Sequence, residues 1–367
     1  MRIVTFVLIG IFILAIGYAL VSDQGFIVSQ EEIGSGNLLS GAPELPIKGK
    51  VPELKGIVGW INSEPLTMEE LRGKVVLVDF WTYTCINCIR TFPHLKSWYE
   101  KYKDDGFVLL GVHTPEFDFE KKKENVLENV QKHNIQYPIA LDNDYATWRA
   151  FENRFWPAHY LVDAEGNIRF THFGEGRYAE TESAIQQLLL EAGLLSLDNI
   201  TEVKELPLGV DFQGIGTPEI YLGAARINNI GNPIATVLVN QPHDFERPST
   251  IRSNRFYFVG TWRIMPEFAE LVGNEGGIIL NYKANKVNVV LDVEDGKEVV
   301  VEVKLDGAYL TEANKGVDVV IENGISIVRI KEARLFNLVD TGDDYNVHTI
   351  EIRILSPGFQ AFAFTFG

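Results

Sequence analysis

Only two cysteines occur in the 367 residues, and they stand three apart as Cys85-Ile86-Asn87-Cys88. Thiols one helical turn apart can close a disulfide and open it again, which suits the pair to thiol–disulfide exchange. Residues 74–93 read K-V-V-L-V-D-F-W-T-Y-T-C-I-N-C-I-R-T-F-P. The Val-rich apolar run ending at Trp81 predicts a buried strand, and the cysteines fall where that strand gives way to a helix. At the first turn of a helix, unpaired N–H groups and the helix dipole favour a thiolate at Cys85. Its attack on a partner's disulfide forms a mixed disulfide, which Cys88 then resolves. The competing readings are a structural bridge or a metal site. With no third cysteine, zinc would need distant His or acidic ligands, and copper a distant His such as His113.

The segment V-L-V-D-F-W-x-x-x-C-x-x-C-x-x-x-x-P resembles the active-site stretch of the thioredoxin superfamily, in its membrane-tethered TlpA/redoxin-like branch. The resemblance implies roles for five residues. Cys85 is the attacking thiol, Cys88 the resolving thiol, Asp79 a buried acid, Pro93 a proline kinking the active-site helix, and Pro157 a cis-proline facing the disulfide. Pro157 stands in R-F-W-P-A-H-Y-L-V-D, before a strand and the turn at 163–167. The wording W-T-Y-T-C-I-N-C, G-V-H-T-P-E-F at 111–117 and W-P-A-H-Y is similar to the thioredoxin-like part of DipZ-type proteins.

Several neighbours carry expectations of their own. An aspartate inside V-V-L-V-D-F-W is out of place unless it works, and Asp79 beneath the cysteines can accept the Cys88 proton; the plain alternative is a strand-end acid. A cis Pro157 leaves a peptide edge free for an incoming substrate backbone, and Trp156 before it narrows that groove; a trans loop proline is the other reading. Ile86, Asn87 and Trp81 complete the expected substrate groove, although Trp81 serves equally well as core. Arg90 further favours the thiolate. His113 and Glu116 follow a strand on the same edge as Cys85, where they either tune the thiol or bind a ligand, or are a loop histidine and a helix-start acid. The pair Ile86-Asn87 is neither the Gly-Pro of strong reductants nor the Pro-His of strong oxidants, which leaves the direction of electron flow open. Thr82-x-x-Cys85 also echoes the peroxidatic motif of peroxiredoxins, but Asp79 holds the place of the proline such sites need. The expected site has no metal and no cofactor beyond the Cys85–Cys88 disulfide.

These residues need elements to position them. Residues 3–21 are nearly all apolar, with Arg2 before them and Asp23, Glu31 and Glu32 after. The run suffices to span a bilayer, which takes about 20 residues, and exceeds the roughly 7–15 apolar residues of a cleaved signal peptide. It is read as a single transmembrane helix, with cleavage left open by Gly17 and Ala19, and with the body on the extracytoplasmic side of the cell membrane. Residues 23–46, rich in Gly and Ser, read as a flexible tether. From 47 to 195 the pattern is α/β. A strand and turn at 60–65 and a short helix at 67–71 come first, then a helix from 88 to about 104. A strand at 107–112, a helix at 117–133, a strand at 138–141 and a short helix at 145–151 follow. Strands at 159–162 and 168–173 form a hairpin, and a helix at 178–192 closes the domain.

After a linker at 196–215 the period changes to two. Strands are expected at 286–292, 298–305, 317–321, 325–330, 347–355 and 361–366, with no helix between them, so 216–367 reads as an all-β sandwich or barrel. T-P-E-I-Y-L-G-x-A-R at 217–226 and the ending L-S-P-G-F-Q-A-F-A-F-T-F-G resemble the tail domain of DipZ-type proteins, which implies a jelly-roll module similar to carbohydrate-binding modules. Tyr257 and Trp262 are candidate glycan platforms, with Asp340, Asp343 and Asp344 as candidate Ca²⁺ ligands; core packing and solvated acids are the alternatives. A net charge of −17 argues against a nucleic-acid partner. DipZ-type proteins usually carry a polytopic electron-conducting domain where this chain has one helix, so its electrons would come from a separate membrane donor of the CcdA type. The expected protein is therefore an anchored thiol–disulfide oxidoreductase acting on disulfide- or thiol-bearing partner proteins. Its rivals are a surface-attached glycan binder on a thioredoxin-like scaffold and a thiol peroxidase.

Overall fold

The computed structural model describes residues 45–203, 210–233, 239–294 and 297–367. The expected membrane helix, and the tether as far as residue 44, lie outside the described residues. Among the described residues no helix is long and apolar enough to cross a membrane.

The first sheet is built on β3 (Val75–Trp81), all seven residues of which are buried. A strand covered on both faces reads as a continuous apolar run, as this one does. β4 (Phe107–His113) lies parallel to it on one side and β6 (Ala158–Val162) antiparallel on the other. With β1 (Gly49–Lys50), β2 (Trp60–Ile61), β5 (Ile139–Leu141) and β7 (Asn167–Phe173), the seven strands run in the order β1-β7-β6-β3-β4-β5-β2. Helices α1 (Ile86–Tyr102), α2 (Lys123–Lys132), α3 (Ala146–Ala150) and α4 (Tyr178–Glu191) connect or flank them. On α1 the residues Cys88, Phe92, Leu95, Trp98 and Tyr102 recur at three- and four-residue steps, and all are buried. They meet Ile185, Leu188 and Leu189 of α4 over one face of the sheet, and Val76, Val78 and Phe80 meet Trp148 and Phe151 on the other.

Two helices expected in this domain differ. Residues 67–71 form a hydrogen-bonded turn in which Glu70 Oε2 accepts from Thr67 N at 3.1 Å and Thr67 Oγ1 accepts from Glu70 N at 3.2 Å. The capping chemistry is present, but it closes a single turn. Residues 117–133 begin as a 3₁₀ turn at Asp118–Lys121, and α2 starts only at Lys123, after an extended Lys122. Phe117 and Phe119 both pack on Phe362, at 5.0 Å each. A continuous α-helix would send residues two apart in different directions.

The second sheet is one twelve-stranded antiparallel network. Six of its strands occupy the expected stretches: β12 (Lys286–Val293), β13 (Val299–Leu305), β15 (Val320–Glu322), β16 (Ile325–Ile330), β18 (Val347–Ile354) and β19 (Phe359–Phe366). Six more were not foreseen: β8 (Ile220–Tyr221), β9 (Pro242–Phe245), β10 (Phe256–Ile264), β11 (Ala269–Lys283), β14 (Ala308–Tyr309) and β17 (Arg334–Asp340). The fifteen-residue β11 pairs with β19 at 269–270 and with β18 at 276–283, which curls the sheet around its own core. Gly260, at φ +91, sits at the β10 register shift opposite Gly276. A Cβ on Gly276 would meet Leu271 at 2.4 Å and the Val259 carbonyl at 2.7 Å. These glycines interrupt the two-residue period that marks a strand in sequence.

Tyr257 and Trp262 are buried rather than offered to a ligand, Trp262 in the aromatic core with Phe258 and Phe359. Asp340 pairs with Lys286 at 3.0 Å, and Asp344 accepts from Asn346. Among the described residues no group of three His, Cys, Asp or Glu is placed to hold a metal ion. Leu45–Gly367 form one compact unit. Phe362 of β19, with its neighbours Ala363, Val290 and Phe268, enters the core of the first domain, so the two sheets share apolar packing.

Candidate active site

Between the end of β3 and the start of α1 the chain turns through Thr82, Tyr83 and Thr84 into Cys85. Cys85 is the N-cap of α1, with extended backbone (φ −77, ψ 110), and its Sγ accepts the Cys88 N–H at 3.2 Å. The sulfur thus occupies the place where a helix offers unpaired donors, the position most favourable to negative charge. Cys85 is half-buried and Cys88 fully buried, and neither is in a disulfide. Burial pushes the Cys88 thiol up, its hydrogen bond with Cys85 adds to this, and the Asp79 charge adds a smaller amount. Pro93 lies inside α1, where it removes the N–H that would bond the Ile89 carbonyl.

The loop before Cys85 is pinned by Glu120, a residue the sequence did not single out. Its buried carboxylate accepts from Thr84 Oγ1 at 2.6 Å, from the Phe117 N–H at 3.0 Å and from the Glu116 N–H. Burial, reinforced by the neighbouring Glu116, pushes Glu120 up to about 7. Glu120 stands 36 residues after Thr84 and bonds mostly backbone donors, so nothing local in the sequence ties it to the cysteine loop.

Before β6, the Trp156–Pro157 peptide is cis. Trp156 is half-buried, and its indole N–H donates to the Thr114 carbonyl at 3.1 Å. Together with Cys85, Ile86, Asn87 and Arg90 it lines a cavity of about 210 Å³. The opposite wall comes from the all-β domain and the segment before it, through Phe212, Ile215, Glu219, Tyr221 and Phe366. At the rim, Glu116 Oε1 accepts from Arg226 Nη1 at 2.7 Å and lies 2.9 Å from the Tyr221 hydroxyl, which is also 2.9 Å from Glu219. Glu116 therefore binds the second domain beside Cys85; neither an isolated helix-start acid nor a free tuning group describes it.

The remaining expected residues divide clearly. Arg90 makes bidentate bonds to Glu175 at 2.8 and 2.7 Å, reaches Asn87 at 2.8 Å, and donates to the Gly367 carbonyl at 2.5 Å, so its guanidinium ties α1 to both domains. Trp81 is fully buried against Phe92 at 5.3 Å and His113 at 5.0 Å, which makes it core and removes it from the groove. His113 is also in the core, 5.8 Å from the Tyr83 ring, and burial pulls it down to about 3, so it is neutral at physiological pH. Asp79 is fully buried behind Cys88, and its Oδ1 lies 3.2 Å from His159 Nε2 on the next strand. Tyr137 completes this back pocket; burial raises its hydroxyl, and Asp79 and Cys88 add to the effect.

Comparison with known proteins assigns this arrangement. Residues 47–171 match the AhpC/TSA family and residues 217–367 match the thioredoxin-like C-terminal domain. The thiol-disulfide oxidoreductase YkuV of Bacillus subtilis is 32% identical over 148 residues, covering 40% of this chain and 99% of YkuV. The chain belongs to the thioredoxin superfamily, in its redoxin-like branch of thiol–disulfide oxidoreductases. Protein DipZ of Mycobacterium tuberculosis is 38% identical over 351 residues, which is 94% of this chain and 47% of DipZ, so the chain spans about half the length of that relative. The solution structure of a thioredoxin-like protein in its oxidized form, 32% identical, covers 39% of this chain and 96% of its own, with a TM-score of 0.37.

Proposed function

We propose that this protein is a membrane-anchored, extracytoplasmic thiol–disulfide oxidoreductase that reduces or exchanges disulfides in partner proteins through Cys85 and Cys88. Residues 1–22 are the anchor and 23–46 the tether. The redoxin domain spans 47–195, a linker 196–215, and a jelly-roll-like module 216–367. One observation carries the reading: a half-buried sulfur at a helix N-cap lines the same cavity as Trp156, whose peptide to Pro157 is cis, and the second thiol is buried one helical turn on. In the cycle, the Cys85 thiolate attacks a partner disulfide and displaces one partner sulfur. Cys88 gives its proton to Asp79, attacks the mixed disulfide at Cys85 Sγ, and releases the second partner sulfur as a thiolate. Electrons return from a membrane donor of the CcdA type.

The groove wall contributed by Tyr221, Glu219 and Phe366 supports a role for the second domain in choosing the partner. The burial of Tyr257 and Trp262 removes the aromatic surface on which a glycan-binding role was expected to rest. The test is insulin reduction by the intact protein and by Cys85→Ser, together with alkaline extraction of membranes from cells expressing it. Cys85-dependent turnover by a protein that stays in the membrane pellet supports the proposal; turnover that survives Cys85→Ser, or release into the soluble fraction, contradicts it.

A further inference from the structure

Asp79 does not end the polar path behind Cys88. On β3 it stands directly opposite His159 of β6, and His159 stands directly opposite His172 of β7. Residues in register across adjacent strands project to the same face, so the three side chains form one lateral row beneath α1 and α4. On its other side Asp79 pairs with Gly111 of β4, which has no side chain, so the row runs in one direction only, away from β4. The Asp79 carboxylate and His159 Nε2 are 3.2 Å apart, and the two imidazole rings have centroids 6.1 Å apart. Asp79 and His159 are fully buried, whereas His172 is 7% exposed on the last strand at that level.

Five polar atoms of this row are buried without a hydrogen bond: both Asp79 oxygens, both His159 nitrogens and His172 Nε2, with Asp79 Oδ1 and His159 Nε2 in contact as a pair at 3.2 Å but outside hydrogen-bond geometry. Buried polar atoms are nearly always paired, so a row of unpartnered titratable groups this deep in a core is exceptional. Three titratable groups sharing one face of a sheet have no packing rationale, since an apolar residue fills a core position at lower cost. The groups around the row are equally specific. Cys88 and Tyr137 adjoin Asp79, and Trp98 of α1, hydrogen-bonded to Glu182 of α4, packs edge-on to His159 at 6.4 Å. Tyr178 packs on Trp98 at 6.3 Å, and Glu175, Arg177 and Glu180 surround His172.

We propose that Asp79, His159 and His172 form a proton path between the buried Cys88 thiol and the protein surface, with His159 and His172 as positioning residues acting through Asp79. When Cys88 attacks the mixed disulfide, the S–H bond breaks and its proton passes to Asp79. The Cys88–Cys85 bond forms, and the partner sulfur leaves as a thiolate. Asp79 is then reset by passing the proton through His159 and His172 to water, and the reverse flow delivers a proton when the disulfide is reduced. Burial, with His159 beside it, holds His172 below the ordinary histidine range, so at neutral pH it is an uncharged acceptor.

This inference rests on the dithiol cycle proposed above, and one experiment separates the two. The reduced full-length protein is mixed in a stopped-flow instrument with 5,5′-dithiobis(2-nitrobenzoate) across pH 5–9. The first thionitrobenzoate released reports Cys85 attack, and the second reports Cys88 resolution. In His159→Gln the second phase is expected to slow about tenfold relative to the first, with a displaced pH inflection; in His172→Gln, at the rim and tolerant of polar replacement, the slowing is about threefold. Unchanged phase ratios and pH inflections in both variants overturn the proton path and leave the cycle standing. Absence of a second phase in the parent protein overturns the cycle itself, and the path with it.

Discussion

In front of Cys85 lies a groove with a composite wall: the redoxin domain gives Trp156, Ile86 and Asn87, and the all-β domain gives Tyr221, Glu219 and Phe366. Behind Cys88 lies a closed row of polar side chains drawn from three adjacent strands of a single sheet. The front is open, half apolar and shared between domains, so it can change with the partner it receives. The back is internal, and in the proposed cycle what it handles is a proton, the same for every substrate. One dithiol is thereby divided between recognition and proton transfer, and the two halves answer to different substitutions.

The sharpest break is at the front sulfur. Cys85→Ser is expected to lower insulin reduction by about 10³-fold or more, because the nucleophile is gone. Cys88→Ser leaves the attack in place and accumulates a mixed disulfide with the partner, visible by non-reducing electrophoresis; the opposite pattern would exchange the roles of front and back. A smaller break is at the base. Asp79→Asn should slow the resolving step by about 10- to 100-fold while the attack step keeps pace with the parent, checked by the two stopped-flow phases. Equal slowing of both phases would show that Asp79 serves the fold and not the proton.

The parts of the site carried by one stretch of chain were more legible in the sequence than those assembled by distant pairing. The run V-V-L-V-D-F-W, the Cys85–Cys88 spacing and Pro157 are local patterns, and the strand, the N-capped helix and the cis peptide stand where those patterns put them. Local patterns do not say which strands become neighbours. His159 acquires meaning only when β6 pairs with β3, which sets it against a residue 80 positions earlier in the chain, and Tyr221 and Arg226 only when the second domain docks on Glu116. Trp81 and His113 are each open to two readings in the sequence, Trp81 as groove or core and His113 as a tuning or ligand group or a loop histidine, and the structure buries both in the core. β10 and β11 escaped because glycines at 260, 273, 276 and 277 break their period.

Two weaker effects probe the composite wall. Phe362, packed on Phe268 of its own domain, meets Phe117 and Phe119 across the domain boundary, so Phe362→Ala should cost about 3–5 kcal/mol in urea unfolding and uncouple the two domains into separate transitions. A single unshifted transition would mean that the contact carries no stability. The smallest effect is a pH dependence. Glu120 is held near 7, above the ordinary carboxylate value, so the folded protein binds a proton there more tightly than the unfolded chain. Its contribution is fully present below about pH 4.5 and is lost as pH rises through about 7. Glu120→Gln should flatten that fall in melting temperature between pH 5 and 7.5, an effect on the order of 1–3 kcal/mol. A slope equal to the parent's would remove Glu120 as its source.

The division of the dithiol into an exposed attacking sulfur and a shielded resolving one is tested most directly by limited alkylation of the reduced native protein. A short pulse of iodoacetamide at neutral pH, followed by unfolding, a second isotopic label and peptide mass spectrometry, assigns reactivity to each cysteine. The first label is expected on Cys85 alone, with Cys88 taking only the second. First label on Cys88, or equal labelling of both, would contradict the account.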